Sequence, residues 1–472
     1  MSQQANTTQQ PGPVRVVILD LEDPIPDLLP EGRYESAMVV GRRGGVPIGA
    51  VDVDLRTGRF DLQQQLRPLF EQSAARPAST RTELTDADLP RISVVVPTIV
   101  ARTEDLEHLL AGFEQVRYPD VEFILVDNRR AIPTPDPLPG LLIGRSGIRV
   151  VRAERPGISA ARNAGVAAAT GDIVAFTDDD VRVDPQWLHA IGRRFAGDPA
   201  IEAVTGLILP AELETPAQVW FERYYGGFSG ERTFAPLTLQ AERTGARSLR
   251  GSRIAVTDAD GQLVRTFAVY GAGAYGAGAN MAFRRDALQR LGGFDLALGT
   301  GTPARGGEDL AALISVLWNG GKVGYEPASV VHHRHRREVS ELEHQLGGNG
   351  VGFTAMLTSL VSHDRRHLLG LASQLPLAGR EMLRQSVARV QGRKGTAAEA
   401  DAARDDTAQF PRNLVMHELR GYPNGPFAYI RSRRSTAAWS ARSEASGAHP
   451  GAAGAQSAAS PLHPAPAPSR LT

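Results

Sequence analysis

The stretch RISVVVPTIVARTEDLEHLLAGFEQVRYPDVEFILVDN, residues 91–128, decides the fold of this chain. Two short runs of apolar, largely β-branched residues enclose a segment in which apolar residues recur every three or four positions. Within that segment the apolar side chains share one helical face: Leu106, Leu109, Leu110 and Phe113. The pattern predicts a strand, a helix and a second strand, which is the repeating unit of a parallel α/β sheet.

The same alternation continues toward residue 205. IRVVRA and DIVAF are typical of buried strands, and Ser159 can cap a helix through ARNAGVAAAT. Asp184 and Pro185 can open a further helix, and the strand EAVTG follows it. These local signals agree with one another and therefore predict an α/β domain.

Changes in composition divide the rest of the chain. VRVVIL, a hairpin around GRRGG and the helix QQQLRPLFEQ predict a small ordered unit without a chemical signature. The predicted organisation is a disordered tail over 1–13, an accessory unit over 14–72, a linker over 73–90, a catalytic domain over 91–340, a mainly helical region over 341–434 and a disordered tail over 435–472.

Charge and composition exclude several classes of protein. The 472 residues contain 52 Lys and Arg and 52 Asp and Glu, and this balance argues against a dedicated nucleic-acid binder. The chain has no cysteine, so disulfides and zinc–thiolate sites are ruled out. No signal-peptide pattern opens the sequence, and no long uninterrupted apolar run occurs. We therefore expect a cytoplasmic enzyme.

Acidic residues follow two of the predicted strands. Asp127 ends one strand, and Asp178, Asp179 and Asp180 follow another. Ligands bind beyond the carboxyl ends of strands in open α/β sheets, so these carboxylates can converge. Neighbouring aspartates repel one another unless a cation compensates, and oxygen ligands favour Mg²⁺ or Mn²⁺. A solvated turn that caps the next helix is the alternative reading of the aspartate run.

A second acidic group and a histidine cluster come later in the chain. Asp309, after Glu308, begins an apolar helix behind two glycines, which is a suitable position for a general base. An ordinary helix-capping carboxylate is the alternative. In VVHHRHRR, residues 330–337, one histidine could bind a metal or a phosphate and the arginines could contact phosphate, whereas a solvated basic turn is the simpler interpretation.

These residues resemble those of family 2 inverting glycosyltransferases of the GT-A fold. The motifs occur in the family's order over roughly residues 91–337: RISVVVP, ILVDN, RPGISAARNAG, FTDDDV, GANMAFRRDALQRLGGFD and GGEDL. The resemblance implies a mixed, mostly parallel sheet flanked by helices, together with the small N-terminal unit and the helical C-terminal region. It also implies a nucleotide-diphosphate-sugar donor and a saccharide or lipid-linked acceptor.

The resemblance assigns roles to individual residues. Asp127 resembles the residue that reads the donor base and ribose, and Pro97 resembles the one that opens the nucleotide pocket. Asp309 resembles the catalytic base of the E-D motif within GGEDL, and Glu308 would assist in positioning the acceptor or the donor. The other implied contacts are with the donor, at Arg162, Asn163, Asp178, Asp179 and Asn280, and with Mg²⁺ or Mn²⁺, at Asp178, Asp180 and His333.

The sequence also departs from the family. It has no Q-x-x-R-W motif and no spanning helix, which favours transfer of one or a few sugars in cell-surface polysaccharide or glycoconjugate synthesis over processive synthesis. The 14–72 unit and the 230–270 insertion have no counterpart that can be assigned in the family. Three alternatives are a nucleotidyltransferase, a nicotinamide dehydrogenase using GAGAYG at 271–276, and a non-catalytic nucleotide-sugar-binding or scaffold protein.

The segment FTAMLTSLVSHDRRHLLGLASQLPL, residues 353–377, mixes apolar runs with a basic centre. Such a segment can lie on a bilayer surface, which would suit a lipid-linked acceptor and a location at the inner face of the membrane. A helical pair packed on the catalytic domain explains the same pattern.

Overall fold

The structure is a computed structural model that describes residues 10–23, 33–56, 59–75, 84–228, 232–242, 251–374 and 410–445. Its strands form a small sheet of three strands and a large sheet of eleven. The small sheet contains β1 (Val14–Asp20), β2 (Ser36–Arg43) and β3 (Val46–Asp54). The large sheet contains β4 (Ile92–Thr98), β5 (Val121–Asp127), β6 (Ile148–Arg152), β7 (Ile173–Phe176), β8 (Val181–Val183), β9 (Ile201–Pro210), β10 (Leu237–Ala241), β11 (Arg253–Thr257), β12 (Leu263–Ala268), β13 (Met281–Arg284) and β14 (Lys322–His333).

The N-terminal sheet is a hairpin with one added strand. Strand β1 runs parallel to β2, and β2 pairs antiparallel with β3. The turn of the hairpin contains Gly44 and Gly45, whose positive φ angles of 54° and 78° suit glycine. Helix α1 (Arg59–Ala75) covers one face through the buried Leu66 and Leu69. The helix predicted around residue 65 is therefore present and extends three residues into the predicted linker.

The large sheet has strand order β12-β11-β10-β14-β9-β13-β7-β4-β5-β6, and β8 pairs with β14 outside this path. Strands β7, β4, β5 and β6 are parallel, as are β9 and β14. Strand β13 is antiparallel to both of its neighbours and joins the two parallel groups. This arrangement, with helices on both faces, the small N-terminal sheet and a helical C-terminal region, confirms the fold class predicted from the sequence.

Helices cover both faces of the large sheet and enclose two apolar cores. One core lies under α2 and α5 and includes Trp187, and the other includes Phe176 and Phe283. The helices that follow α1 are α2 (Thr103–Gln115), α3 (Leu138–Leu141), α4 (Ile158–Ala168), α5 (Trp187–Gly197), α6 (Pro216–Val219), α7 (Arg285–Leu291), α8 (Glu308–Trp318), α9 (Val339–His363), α10 (366–374), α11 (Arg412–Gly421) and α12 (Gly425–Ala445).

The insertion at 230–270 extends the large sheet. Its strands β10, β11 and β12 form an antiparallel ribbon, and β10 pairs with β14. The GAGAYG sequence lies in a 3₁₀ helix, Val269–Tyr275, which leads into β13. It does not open a long helix that could receive a pyrophosphate, so the dehydrogenase alternative lacks its structural context.

The described parts of the C-terminal region, 341–374 and 410–434, are mainly helical, as predicted, whereas residues 375–409 lie outside the described residues. The tail predicted from residue 435 is wrong in its first part, because α12 continues to Ala445. The inner face of α12 makes this possible, since Ser432 is buried there and Thr436 hydrogen-bonds to Arg155 of the catalytic domain. Residues 1–9 and 446–472 of the predicted tails lie outside the described residues.

The segment proposed for membrane contact lies partly in α9. Its apolar side chains Ala355, Met356 and Leu360 are buried against the domain, so packing accounts for most of the apolar pattern. Residues 375–377 lie outside the described part. Within the described residues, no helix combines the length and apolarity needed to span a bilayer.

Candidate active site

Two strands bring the aspartate run and the histidine cluster together. Residues Val181 and His333 are paired in the antiparallel ladder of β8 and β14, which places Asp180 beside the imidazole of His333. The Nε2 atom of His333 lies 3.2 Å from Oδ1 of Asp180. Ligand atoms of Asp178, Asp180 and His333 all lie within 4.8 Å of one another. The strand pairing thus assembles the three metal ligands that the sequence resemblance implied.

These three side chains fit a small divalent cation. Two carboxylates and one imidazole form a donor set that suits Mn²⁺, and carboxylate oxygens also suit Mg²⁺. The side chains of Asp180 and His333 are only 11% and 7% exposed, so neither is a freely solvated surface group. The solvated-turn interpretation of the aspartate run therefore does not hold for Asp180.

The three aspartates differ in electrostatic environment. Burial raises the pKa of Asp178, and neighbouring Asp180 adds to this although Arg162 opposes it. Burial and the charge of Asp180 also raise the pKa of Asp179 to about 7, although Thr98 donates a hydrogen bond to it at 2.6 Å. Burial acts on Asp180 as well, but the charge and hydrogen bond of His333 outweigh it and lower the pKa. Asp180 is thus the carboxylate of the run that most readily stays ionised for a cation.

Arg162 connects the cluster of Asp178, Asp180 and His333 to the acidic pair Glu308-Asp309, the E-D motif. Its Nη1 lies 2.7 Å from Oε1 of Glu308, and its Nη2 lies 3.5 Å from Oδ1 of Asp178. Arg162 is almost completely buried, and its guanidinium lies 6.0 Å from the ring centre of Phe176 and 5.6 Å from that of Phe294. A guanidinium group fixed in this way holds two carboxylates from distant parts of the chain close together.

Glu308 and Asp309 start α8 but lie in different surroundings. Burial and the charge of Asp309 raise the pKa of Glu308 to about 7, although Arg162 opposes this. Asp309 is only half-buried, and its Oδ2 accepts a hydrogen bond of 2.7 Å from the backbone N–H of Gly278. Gly307 precedes the pair with φ of 87°, a conformation that favours glycine at this sharp entry to the helix. Asp309 is therefore oriented by the backbone and remains accessible.

The predicted base-reading residue, Asp127, is held by two arginines. Arg129 donates through Nε at 2.9 Å to Oδ1 and through Nη2 at 2.8 Å to Oδ2, and Arg152 lies 2.9 Å from Oδ1. Burial opposes ionisation, but these arginines outweigh it and lower the pKa of Asp127. Pro97 lies one strand away in β4, opposite Val126 of β5. Arg129 thus stands at the predicted nucleotide position, where sequence reasoning assigned no role to it.

Comparison with known proteins identifies the domain that carries this site. Residues 93–292 match the model of the family described as glycosyl transferase family 2. The domain over these residues is of the glycosyl transferase family 2 type. The match includes Asp127 and the aspartate run, whereas Glu308, Asp309 and His333 lie beyond its end. The contact of Arg162 with Glu308 and that of Asp180 with His333 join these later residues to the matched part.

Individual relatives match shorter parts. Glucosyl-dolichyl phosphate glucuronosyltransferase of Haloferax volcanii is 32% identical over 72 residues, which are 15% of this chain and 23% of that protein. Pre-mycofactocin glycosyltransferase of Mycobacterium tuberculosis is 28% identical over 186 residues, 39% of this chain and 32% of that protein. The matches therefore span about a quarter to a third of these relatives' lengths. A mannosyltransferase of Pyrobaculum calidifontis, solved with GDP-Man and Mn²⁺, has a TM-score of 0.43 at 16% identity, covering 75% of this chain and 92% of that one.

Two residues predicted to contact the donor have other partners in this domain. The prediction for Asn280 is wrong, because its side chain is completely buried and bonded to Trp187, Ser329 and the carbonyl of Leu207. The amide of Asn163 exchanges two hydrogen bonds of 2.8 Å with the backbone of Phe294. Both asparagines therefore hold the chain around the site, and the role of Asn163 toward a donor stays a prediction.

Sequence reasoning missed a buried polar cluster behind His333. His335 Nε2 lies 2.8 Å from Oε2 of Glu222, which also forms an ion pair with Arg232. The ring of Phe228 packs on both His333 and His335, with centroids 4.5 and 5.7 Å apart. Glu222 lies in a π-helical turn, Trp220–Tyr225, within the aromatic-rich sequence WFERYYGGF at 220–228. A lone carboxylate among aromatic residues was the only signal, and it does not reveal a partner more than 100 positions later.

Proposed function

We propose that this chain is a glycosyltransferase that moves a sugar from a nucleotide-diphosphate-sugar to an acceptor hydroxyl, with inversion and with Mg²⁺ or Mn²⁺. The observation that carries the proposal is the junction at Arg162. This buried arginine joins the cluster of Asp178, Asp180 and His333 to the E-D pair at the start of α8. This contact supports a single displacement, in which the cluster would bind the diphosphate through the metal and Asp309 would act as the general base beside it.

Each residue of the site has a separate role in the proposed reaction. Asp309 removes the proton of the acceptor hydroxyl as the hydroxyl oxygen attacks the anomeric carbon of the donor. The bond from that carbon to the diphosphate oxygen breaks, and its electron pair leaves with the diphosphate. Asp178, Asp180 and His333 would hold the cation, which when bound neutralises charge on the leaving diphosphate. Arg162 orients Glu308 and Asp178 and adds positive charge nearby.

Asp309 is preferred over Glu308 as the base because of access. Glu308 is buried and paired with Arg162 at 2.7 Å, so an acceptor would have to displace that ion pair to reach it. Asp309 is half-buried, and each of its carboxylate oxygens accepts one backbone hydrogen bond, from Gly278 and Leu310, which leaves lone pairs free. Glu308 therefore serves as a positioning residue.

The acceptor and the setting form part of the same proposal. A saccharide or lipid-linked saccharide is the proposed acceptor, in cell-surface polysaccharide or glycoconjugate synthesis at the inner face of the membrane. The relative whose name includes glucosyl-dolichyl phosphate supports a lipid-linked acceptor. Transfer of one or a few sugars is proposed rather than processive synthesis.

The test combines metal binding with donor turnover. Mn²⁺ affinity is measured by isothermal titration, and hydrolysis of UDP-, GDP- and dTDP-sugars is followed with Mn²⁺ or Mg²⁺. We expect Asp180→Asn to lose Mn²⁺ affinity and turnover. Asp309→Asn should keep Mn²⁺ affinity but lose turnover by at least about a hundredfold. Asp260→Asn, in the exposed β11–β12 turn, is the matched control and should change neither. Absence of any metal-dependent donor binding would support the scaffold alternative.

A further inference from the structure

A stripe of exposed side chains follows the outer face of α11 and α12. Its members are four residues apart in α11 and occupy positions i, i+3, i+4 and i+7 in α12, so within each helix they share one side. The buried faces of both helices rest on α9, where Glu418 and Tyr429 point inward, so both outer faces point away from α9. The outer stripe consists of Arg412, Met416, Arg420, Phe427, Ile430, Arg431 and Arg434.

The apolar members of this stripe are unusually accessible. Phe427 is 75% exposed, Ile430 is 47% exposed and Met416 is 44% exposed. Apolar surface left in water costs about 25 cal/mol per Å² relative to burial, so these side chains favour a partner. Their neighbours on the same face are arginines, which decide what kind of partner fits.

Positive charge predominates in the part of the chain that contains α11 and α12. Residues 410–445 contain six arginines and two acidic residues, and Glu418, one of the two, is buried. Among the residues that the structure describes, no carboxylate lies within ion-pair distance of Arg431 or Arg434. The whole chain has no net charge, so the excess is a property of this surface. Guanidinium groups beside exposed aromatic and aliphatic side chains match the boundary between lipid phosphates and acyl chains.

We propose that the outer face of α11 and α12 docks the chain on a bilayer that contains anionic lipids. Phe427, Ile430 and Met416 enter the boundary of the acyl region, and the arginines bind headgroup phosphates. A second copy of the chain is a poorer partner, because a two-fold contact through this face would bring the same arginines together. Docking extends the proposed function, since it holds the domain where a lipid-linked acceptor is found.

The inner side of α12 connects this surface to the nucleotide end of the site. Arg155 donates a hydrogen bond of 2.5 Å to Oγ1 of Thr436, and its guanidinium lies 5.5 Å from the ring centre of Trp439. The carbonyl oxygen of Arg155 accepts a hydrogen bond from Asn128, next to Asp127. One helix therefore faces the proposed membrane on one side and supports the site loop on the other.

Flotation of the full chain with lipid vesicles, without donor or metal, tests the proposal. We expect binding to phosphatidylcholine vesicles that contain phosphatidylglycerol and little binding to phosphatidylcholine alone. Arg431→Gln with Arg434→Gln should weaken partitioning about fivefold per arginine, or roughly 25-fold together. Phe427→Ser with Ile430→Ser should weaken it at least as much, because both apolar anchors are lost.

Matched variants show whether vesicle binding depends on the arginines of this face or only on the number of exposed arginines in the whole protein. Arg117→Gln with Arg193→Gln removes two exposed arginines elsewhere and should leave partitioning unchanged. Asp180→Asn should also bind vesicles like the wild type, so failure of the proposed function does not decide this test. Thermal melting of each variant shows whether it is folded.

Several results would overturn the docking proposal. Equal binding to neutral and anionic vesicles would remove the role of the arginines, and no binding to anionic vesicles at low salt would remove the surface itself. A marked loss of thermal stability in Phe427→Ser would show that the ring is packed in the folded protein. Light scattering that reveals a dimer broken by this substitution would assign the face to a second copy.

Discussion

Replacing Asn280 by alanine removes four hydrogen bonds just before the start of β13, beside a register shift in the pairing of β9 with β14. Its Nδ2 donates to the carbonyl oxygens of Leu207 at 3.1 Å and Ser329 at 2.8 Å. Its Oδ1 accepts from Nε1 of Trp187 at 2.9 Å and from Oγ of Ser329 at 3.1 Å. The β9–β14 pairing has a register shift between Glu326 and Val330, so the carbonyl of Ser329 relies on this side chain.

The expected cost follows from these bonds. Each buried hydrogen bond contributes about 1 kcal/mol, so the four together predict a loss of about 4 kcal/mol on substitution. In a domain of this size that corresponds to a fall in Tm on the order of 10 °C. Asn413→Ala is the matched control, because the exposed amide of Asn413 makes one bond to Glu343 and should contribute less than about 0.5 kcal/mol.

Differential scanning calorimetry of Asn280→Ala and Asn413→Ala, with and without donor, checks this reasoning. A variant of Asn280 that melts within about 2 °C of the wild type but binds the donor more weakly would refute it. That outcome would restore the donor contact expected from the sequence. A large loss of stability in Asn413→Ala would show instead that the bond count does not predict the energy.

Two further substitutions test the buried carboxylates. The pKa of Glu308, at about 7, lies above its ordinary value of 4.5, so the folded metal-free protein binds an extra proton between these values and its stability falls as pH rises through them. Glu308→Gln should flatten this pH dependence in urea unfolding with EDTA, and an unchanged slope would contradict the assignment. Glu222→Gln should lower the free energy of unfolding by about 3 kcal/mol in the same assay, because Arg232 and His335 lose their shared carboxylate. An unchanged free energy of unfolding would show that these two contacts of Glu222 contribute little to stability.

Local sequence signals predicted the fold well where they are strong and short in range. The helix around Leu109 and the strands on either side of it have clear periodicity, and the structure places them at α2, β4 and β5. The ribbon β10–β12 was not predicted, because its strands are short and its pairing with β14 depends on residues about 80 positions away. The prediction of a disordered tail from residue 435 was wrong for a related reason. Residues 435–445 continue helix α12, and Thr436 and Trp439 in this part contact Arg155, which lies far away in the sequence.

The candidate site shows the same division. The resemblance implied Asp180 and His333 as ligands of one metal, and their separation of 3.2 Å is consistent with that expectation. It also implied Asn280, whose burial could not be seen from a motif, because a motif does not state which way a side chain points. Glu222 and His335 carried no family signal at all, and only the three-dimensional packing brings them together.

The small N-terminal sheet has a consequence for the synthesis of the chain. One face of that sheet, with Val14, Met38 and Val40, packs against Leu207 and Val330 of the large sheet. On a ribosome that adds about 5–20 residues per second, the N-terminal strands wait on the order of half a minute for those partners to emerge. During that interval an apolar face stays open to water and to other nascent chains. The unit is made first, but it can complete its packing only when β14 has been made.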